Sequence, residues 1–279
     1  MAHEREFSFS DRDFDTIREL VSQHTGISLS DAKRDMVYSR LARRLRHLAL
    51  DDFSQYCQLL VSAEAESELG QFVNSITTNL TSFFREPHHF DYLAKKLLPE
   101  CIHANKLNRR LRIWSAGCST GEEPYSIAMT VLENLPKNDA WDVKILATDL
   151  DTNVLEMARG GVYTEERMNG VDDKRRRRWF RKGRGDNAGL FQARAELRDL
   201  IRFKQLNLMQ DWPMQGAFNI IFCRNVLIYF DKPTQRILME RFAKLISEQG
   251  RLFIGHSETL YRVTEEFKLM GQTIYRKVA

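Results

Sequence analysis

A short apolar run that ends in a glycine turn and passes directly into an amphipathic stretch constrains this chain most. Leu111-Arg112-Ile113-Trp114-Ser115-Ala116 reads as a strand, Gly117-Cys118-Ser119-Thr120-Gly121 as a loop, and residues 124–135 as a helix. A glycine turn after a first strand lets backbone approach a ligand closely, because no Cβ stands in the way. Pro124 suits the first helical position, which makes Glu123 the expected cap. The rhythm repeats with strands at 143–148, 218–223 and 251–255, and helices at 151–158 and 233–246, the last expected to stop at Gly250. Strands alternating with helices imply an α/β domain with a mostly parallel sheet covered on both faces. The tail, 267–278, alternates apolar and polar residues around Gly271 and is expected to form an antiparallel edge hairpin.

Residues 10–76 have a different texture. Ser10 precedes Asp11 and Asp13, a helix start with acids in the first turn. Phe14, Ile17, Leu20 and Val21 follow at helical spacing, and Gly26 ends the helix. Ser30 or Asp31 opens a second helix, apolar at Met36, Val37, Leu41 and Leu45, with Lys33, Arg34, Arg40, Arg43, Arg44 and Arg46 on its polar side. Asp52 starts a third helix, and 64–76 is a fourth amphipathic stretch. The expected division is a helical domain over 1–76, a linker over 77–108, and an α/β domain over 109–279. Residues 160–206 break the α/β rhythm. They carry a charged helix-like run at 172–182, the turn Gly183-Arg184-Gly185-Asp186-Asn187-Ala188-Gly189, and short apolar pieces at 190–192 and 201–203. This reads as an insertion of short antiparallel strands.

Composition excludes several classes. At 279 residues the chain can hold one large and one small domain, and 43% apolar with 29% charged residues is ordinary for a globular fold. No apolar run is long enough to span a bilayer, and Met1-Ala2-His3-Glu4-Arg5-Glu6 lacks a signal-peptide core, so a cytoplasmic protein without membrane insertion is expected. Cys57, Cys101, Cys118 and Cys223 form no CxxC pair, which argues against a disulfide framework and a structural zinc; no metal site is expected. The net charge of +4 says little, but basic residues gather at 33–47 and 174–184. Such runs suit acidic partners, either nucleic acid or an acidic protein surface; for any single run a solvated helix face is the plainer reading.

The glycine loop itself speaks to the ligand. Glu122 and Glu123 would repel a pyrophosphate and attract a cationic group such as the amino end of a methionine moiety, and the loop lacks both GxGxxG and the P-loop lysine. The second strand ends Ala147-Thr148-Asp149-Leu150-Asp151. An acid there is the usual acceptor for ribose hydroxyls, which selects Asp149 and leaves Asp151 to cap the next helix; two competing caps is the alternative. Arg224 and Asn225 leave the third strand where a ligand would lie, and Tyr229 follows one turn later, as a cleft residue or as core. Thr77-Thr78-Asn79-Leu80-Thr81-Ser82-Phe83-Phe84-Arg85-Glu86-Pro87 is rich in small hydroxyls and aromatics, as a functional segment or as a capped linker.

Taken in order, Thr78-Asn79-Leu80-Thr81-x-Phe83-Phe84-Arg85, the segment Gly117 to Ser126, Ala147-Thr148-Asp149-Leu150-Asp151, Phe222-Cys223-Arg224-Asn225-Val226-Leu227-Ile228-Tyr229-Phe230 and Gly255-His256-Ser257-Glu258 resemble the CheR family of chemotaxis receptor methyltransferases. The resemblance runs from about residue 10 to the C-terminus; the ordered set is specific where one motif alone is not. It implies a Rossmann-like class I S-adenosylmethionine-dependent methyltransferase sheet with a helical domain in front and an inserted antiparallel β-subdomain. It implies methyl transfer to glutamate side chains of bacterial chemoreceptors, giving γ-methyl esters and S-adenosylhomocysteine. By the resemblance, Asn79, Thr81, Arg85, Gly117, one of Glu122 and Glu123, Asp149, Asn207, Leu208, Arg224 and Asn225 contact the cofactor. Arg85 and Tyr229 match residues proposed at the reacting centre. The basic helix with Arg40, Arg43, Arg44 and Arg46 matches the face that meets receptor methylation helices. The Gly183-Arg184-Gly185 turn resembles the type that grips a receptor C-terminal peptide. A monomer recruited to membrane-bound receptor arrays is the expected working form.

The residues fit such chemistry. A glutamate is already ionised at neutral pH, so it needs no general base, and attack on a sulfonium methyl depends on alignment. The absence of a Ser-His-Asp or Cys-His arrangement is then expected. Three other readings compete. A nicotinamide oxidoreductase would need GxGxxG with an acid nearer the glycines. A nucleic-acid methyltransferase predicts steeply salt-dependent binding, and no nucleic-acid partner is expected here. A catalytically idle receptor adaptor would not need Arg85, Asp149 and Asn225 together.

Overall fold

At Ser10 local chemistry starts the first helix as the spacing requires. Its hydroxyl accepts from the Asp13 amide at 3.2 Å, and Asp13 accepts the Ser10 amide at 2.8 Å, a reciprocal capping box. The computed structural model describes residues 5–136 and 139–278, so the signal-peptide reading of the first residues falls largely outside them, on residues 1–4. Contacts divide the chain into two units, Met1–Thr78 with Tyr229–Asp231, and Asn79–Ile228 with Lys232–Ala279.

The first unit is helical. Helix α1 (Asp11–Thr25) ends at Gly26, whose φ of 73° is the left-handed cap that glycine tolerates best. A short 3-10 turn, Asp31–Lys33, follows Ser30 and leads into α2 (Arg34–Leu48). Asp52 caps α3 (Phe53–Val61) through the Gln55 amide, and α4 (Glu66–Ile76) follows. The apolar stripes converge on a core containing Phe14, Ile17, Val21, Val37, Leu41, Leu45, Phe53, Tyr56 and Phe72. One polar network enters it. Glu68, buried, accepts from Arg44 Nε at 2.9 Å and from Tyr56 Oη at 2.8 Å.

The second unit begins with α5 (Pro87–Tyr92), which continues through a π-helical stretch at Leu93–Leu97 into α6 (Leu98–Ala104). Then come β1 (Arg110–Ala116), α7 (Glu122–Asn134), β2 (Asp142–Asp149) and α8 (Thr152–Gly160). Next are β3 (Val162–Thr164), α9 (Asp173–Trp179), β4 (Phe180–Lys182), β5 (Leu190–Ala193), α10 (Ala195–Arg198) and β6 (Ile201–Gln205). The chain closes with β7 (Phe218–Cys223), α11 (Lys232–Leu245), β8 (Ile246–Ile254) and the hairpin β9 (Phe267–Gly271) and β10 (Ile274–Lys277). The main sheet has the order β6-β2-β1-β7-β8-β10-β9. Its first five strands are parallel, and β10 is antiparallel to both β8 and β9, as the tail pattern implied. This is the open, mostly parallel α/β sheet with an antiparallel edge hairpin that the sequence implied. The order reverses at β1, which places the ligand crevice of such sheets beyond the carboxyl ends of β1, β2 and β7.

Four local expectations are corrected. Gly121, with φ 98°, is the N-cap of α7, and Glu123 lies inside its first turn with its side chain turned to other partners. Gly250 does not stop a helix. α11 ends at Leu245 because Ile246 already pairs with Phe218, and Gly250 lies within β8, where a Cβ would come within 3.0 Å of the Asn219 carbonyl oxygen. Residues 201–203 are not part of the antiparallel insertion; β6 pairs in parallel with β2 at the sheet edge. The charged run 172–182 is helical only to Trp179, after which Phe180 and Arg181 pair with Ala193 and Gln192. The remaining insertion strands form the small antiparallel sheet β3-β5-β4.

That small sheet meets the glycine loop. Tyr163 Oη donates to the Thr120 carbonyl at 2.9 Å, and a Cβ on Gly121 would lie 2.8 Å from this Oη and 2.9 Å from Ala158 Cβ. Gly121→Ala combines that clash with an unfavourable φ and is expected to cost about 1–3 kcal/mol of stability. Urea unfolding measures it; an unchanged midpoint contradicts this packing.

Candidate functional site

The carboxyl ends of β1, β2, β6 and β7 bring most of the expected residues to one sheet edge. Gly117 follows β1 with φ 85°, and its amide donates to the Thr148 carbonyl at 2.8 Å. A Cβ there would stand 2.4 Å from Val226 Cγ2, so glycine permits the loop after β7 to close on the loop after β1. Asp149 ends β2. Its carboxylate accepts the Ser119 amide at 2.8 Å and the Asp151 amide at 3.0 Å. Burial raises its pKa while those amides pull the other way. Asp151 caps α8 through Asn153 and also accepts from Asn79 Nδ2 at 2.8 Å, while Ser119 Oγ donates to the Asn79 carbonyl at 3.0 Å. Asn79, the glycine loop and the end of β2 are thus one connected group. Thr81, two residues on, is half-buried.

A second group forms around a buried cation. The Arg224 side chain is 2% exposed and lies between two carboxylates, 3.2 Å from Glu86 Oε2 and 3.1 Å from Glu123 Oε2. It also donates to the Arg85 carbonyl. Glu123 accepts from Ser115 Oγ at 2.6 Å, so both of its oxygens are engaged. Glu122, 1% exposed, accepts from Thr120 Oγ1 at 2.7 Å and faces the half-exposed Arg167 at 3.3 Å. Each acid of the pair therefore has its own arginine, which reduces the attraction for a ligand cation that the bare sequence suggests. The Arg85 guanidinium donates to the Leu80 carbonyl at 2.9 Å, and its neighbours Phe84 and Glu86 both have positive φ. Cys118 is buried and its thiol is pushed well up by burial, so it packs and stays protonated.

Glu86, in the sequence no more than one member of the 77–87 segment, joins three segments. Its Oε1 accepts from the His256 amide at 3.1 Å and faces His256 Nδ1 at 2.7 Å. Burial works against its charge, but His256 and Arg224 outweigh burial and hold it below the usual carboxylate range. His89 is fully buried, with Nε2 3.0 Å from the Gln272 carbonyl and Nδ1 3.4 Å from Glu86 Oε2. Glu86, His88 and His89 bring metal-ligand-type atoms within 4.8 Å of one another, with the Arg224 cation directly against Glu86.

Burial, and then the Arg224 charge, push the His89 pKa below its ordinary value. A histidine with a depressed folded pKa leaves the unfolded chain binding more protons as pH falls, so stability drops below about pH 6.5. His89→Phe is expected to lose less stability than the wild type between about pH 7.5 and 5.5. Urea midpoints at the two values test this, and equal losses contradict it.

Asn225 is half-buried at φ 58°, with its amide donating to Glu258 Oε2 at 2.9 Å. Asn207 and Leu208 follow β6 and are buried; Asn207 Oδ1 accepts the Met209 amide at 2.9 Å, and the Leu208 carbonyl accepts from Arg241 at 2.7 Å. Tyr229 ends a 3-10 turn, Leu227–Tyr229, and groups by its contacts with the helical unit, where its carbonyl accepts the Ser28 amide at 2.9 Å. The arginines of α2 divide. Arg40 donates to the Ile76 and Thr77 carbonyls, Arg44 pairs with Glu68, and Arg46 pairs with Glu6. Arg43 is exposed and makes no ion pair among the described residues. Gly183 passes against Asn187, where a Cβ would be 2.0 Å from its carbonyl oxygen, while Gly185, at φ 59°, faces open space.

Two family models match in order. The model described as CheR methyltransferase, all-alpha domain, matches residues 12–77, and the model described as CheR methyltransferase, SAM binding domain, matches residues 79–276. The chain belongs to the CheR methyltransferase family. This CheR-family chain is 47% identical over 272 residues to chemotaxis protein methyltransferase 2 of Pseudomonas aeruginosa, covering 97% of this chain and 95% of that relative. It is 46% identical over 270 residues to the chemotaxis protein methyltransferase of Escherichia coli, covering 96% and 91%. The Salmonella typhimurium chemotaxis protein methyltransferase is 45% identical over 270 residues, covering 96% and 91%. The CheR-family chain is thus an S-adenosylmethionine-dependent methyltransferase of the chemotaxis type. Among its described residues no helix is long and apolar enough to cross a membrane.

Proposed function

We propose that this chain transfers the methyl group of S-adenosylmethionine to glutamate side chains on the cytoplasmic helices of chemoreceptors, giving γ-methyl esters and S-adenosylhomocysteine. The observation that carries the reading is Asp149, its carboxylate held at the end of β2 by the Ser119 and Asp151 amides beside the Gly117 turn. Two backbone donors leave acceptor capacity on a carboxylate for the ribose hydroxyls. Asn79, Thr81, Gly117, Asn207, Leu208, Arg224 and Asn225 complete the cofactor site. Arg224, whose guanidinium is enclosed by acids, contributes through backbone and by fixing its neighbours. Of the acidic pair, Glu122 meets the cofactor ammonium. Both oxygens of Glu123 are committed to buried partners, whereas Glu122 faces an arginine that is 36% exposed and can yield to a ligand cation.

The reaction needs little acid–base work. Bound S-adenosylmethionine would supply a sulfonium methyl group that a receptor carboxylate oxygen can take up, with a neutral thioether as the leaving group. No proton moves, because a glutamate is ionised at neutral pH. Arg85 and Tyr229 orient the attacking carboxylate or the cofactor, and positioning of this kind supplies about 7–11 kcal/mol of a barrier in favourable cases. Receptor helices meet the α2 face, with Arg43, which has no ion-pair partner among the described residues, as its available cation and Arg40, Arg44 and Arg46 shaping the surface around it. The 183–185 turn takes a receptor C-terminal peptide. We assign residues 1–76 to receptor contact, 77–108 to a linker that shares the cofactor site, and 109–279 to cofactor binding and catalysis, with 160–206 inserted. The enzyme works as a cytoplasmic monomer recruited to receptor arrays.

Incubation with methyl-labelled cofactor and receptor cytoplasmic fragments tests the reading. Label released from the receptor by mild base supports it, and absence of label on every such fragment overturns it. A second reading, nucleic-acid methylation, would instead show labelled RNA or DNA and steeply salt-dependent binding.

A further inference from the structure

Glu258 is a buried carboxylate, 6% exposed, and no lysine, arginine or histidine pairs with it among the described residues. Its partners are backbone amides. Oε2 accepts from Gly255 at 2.5 Å and from Asn225 at 2.9 Å, and Oε1 accepts from Ile228 at 3.2 Å. An unpaired buried charge is costly unless hydrogen bonds satisfy it, and converging N–H groups are the form of satisfaction an anion takes best. The three donors are not from one turn. Two belong to the loop that leaves β7, residues 224–228, and one to the turn that leaves β8.

The loop it grips needs a grip. Asn225 sits at φ 58°, a left-handed conformation that asparagine adopts more readily than most non-glycine residues and that the contacts around it hold. Gly255 yields the space, since a Cβ there would lie 2.4 Å from Asn225 Nδ2 and 2.8 Å from its backbone nitrogen. Val226 fills the space left by Gly117, and Gln235 Nε2 donates to the Leu227 carbonyl at 2.8 Å. Ile228, held at the far end, immediately precedes Tyr229.

We propose that Glu258 is a positioning residue for methyl transfer, whose carboxylate fixes the 224–228 loop so that Asn225 is preorganised for the cofactor. The inference rests on the cofactor role given to Asn225 above. Charge, more than shape, is the operative property. In Glu258→Gln the amide nitrogen must face one of the three N–H groups, donor against donor, and the loop shifts. Glu258→Asp keeps the anion one methylene shorter and recovers part of the effect.

Calorimetric titration with S-adenosylhomocysteine tests this on the full chain, with far-UV circular dichroism to check the fold. The wild type binds; Glu258→Gln is expected to bind roughly tenfold or more weakly, with Glu258→Asp between the two. Glu258→Gln combined with Asn225→Ala is expected to lose less than the sum of the single losses, because both act through one contact. Affinity within twofold of wild type in a folded Glu258→Gln overturns the proposal, as do strictly additive losses. If Glu258→Gln does not fold, Glu258→Asp decides: a loss of affinity without loss of fold supports the role, and unchanged affinity overturns it. The test uses no receptor, so failed receptor methylation in a wild type that binds the cofactor counts only against the substrate reading.

Discussion

Replacing Arg224 with methionine is expected to lower the free energy of unfolding by about 3–5 kcal/mol. The reason is not the strength of its ion pairs. A buried ion pair gains little over an apolar substitute of the same volume, because desolvation offsets the attraction. Removing one partner alone is different. Glu86 and Glu123 would remain, 8% and 12% exposed, with the guanidinium that balances both of them gone. The Arg85 carbonyl would also lose its donor. Burial already raises the Glu123 pKa against the pull of Arg224 and Ser115, so the variant should take up a proton there and regain stability as pH falls. Urea unfolding at neutral and mildly acidic pH measures both effects. A loss under about 1 kcal/mol, the usual size for an exposed ion pair, contradicts the account.

Asp149→Ala should reduce affinity for S-adenosylhomocysteine by roughly tenfold to more than a hundredfold, the size expected for hydrogen bonds to a charged group. Two losses combine. The acceptor for the ribose hydroxyls disappears, and the Ser119 and Asp151 amides lose their partner, which loosens the glycine loop where it meets the end of β2. Calorimetric titration reads the affinity, and a parallel urea titration separates binding from stability. Affinity within twofold of wild type would remove Asp149 from the cofactor site.

Much of the fold was legible because local signals and tertiary demands agree. Ser10, Gly26, Asp52 and Asp151 cap helices as their positions suggested, and residues 218–223 form β7 with the expected bounds. The misreadings share a cause. Gly250 resembles a helix stop and residues 201–203 part of an antiparallel insertion, but pairing with β7 and with β2, distant in sequence, decides both. Pro124 pointed to Glu123 as the cap, yet only Gly121 could take φ 98° against Tyr163. At the candidate site, the residues proposed to face the cofactor are more legible in the sequence than those that hold them in place. Asp149 and Asn225 stand at strand ends, where position alone is informative. Glu86, His89 and Glu258 act through partners tens to more than a hundred residues away, and nothing in their neighbours announces that. The basic helix shows the converse. Its arginines are equivalent as a charge run, but Arg40, Arg44 and Arg46 are spent on the protein's own groups and Arg43 pairs with none among the described residues.

In the proposed reaction a protein carboxylate accepts the methyl group. This is tested most directly by mass spectrometry of peptides from a receptor cytoplasmic fragment after incubation with the enzyme and S-adenosylmethionine. Specific glutamates are expected to gain the mass of one methylene, mild base to remove it, and Asp149→Ala to form little of it. A stable methyl group on another residue type, or unmodified glutamates beside a cofactor that has been consumed, would contradict it.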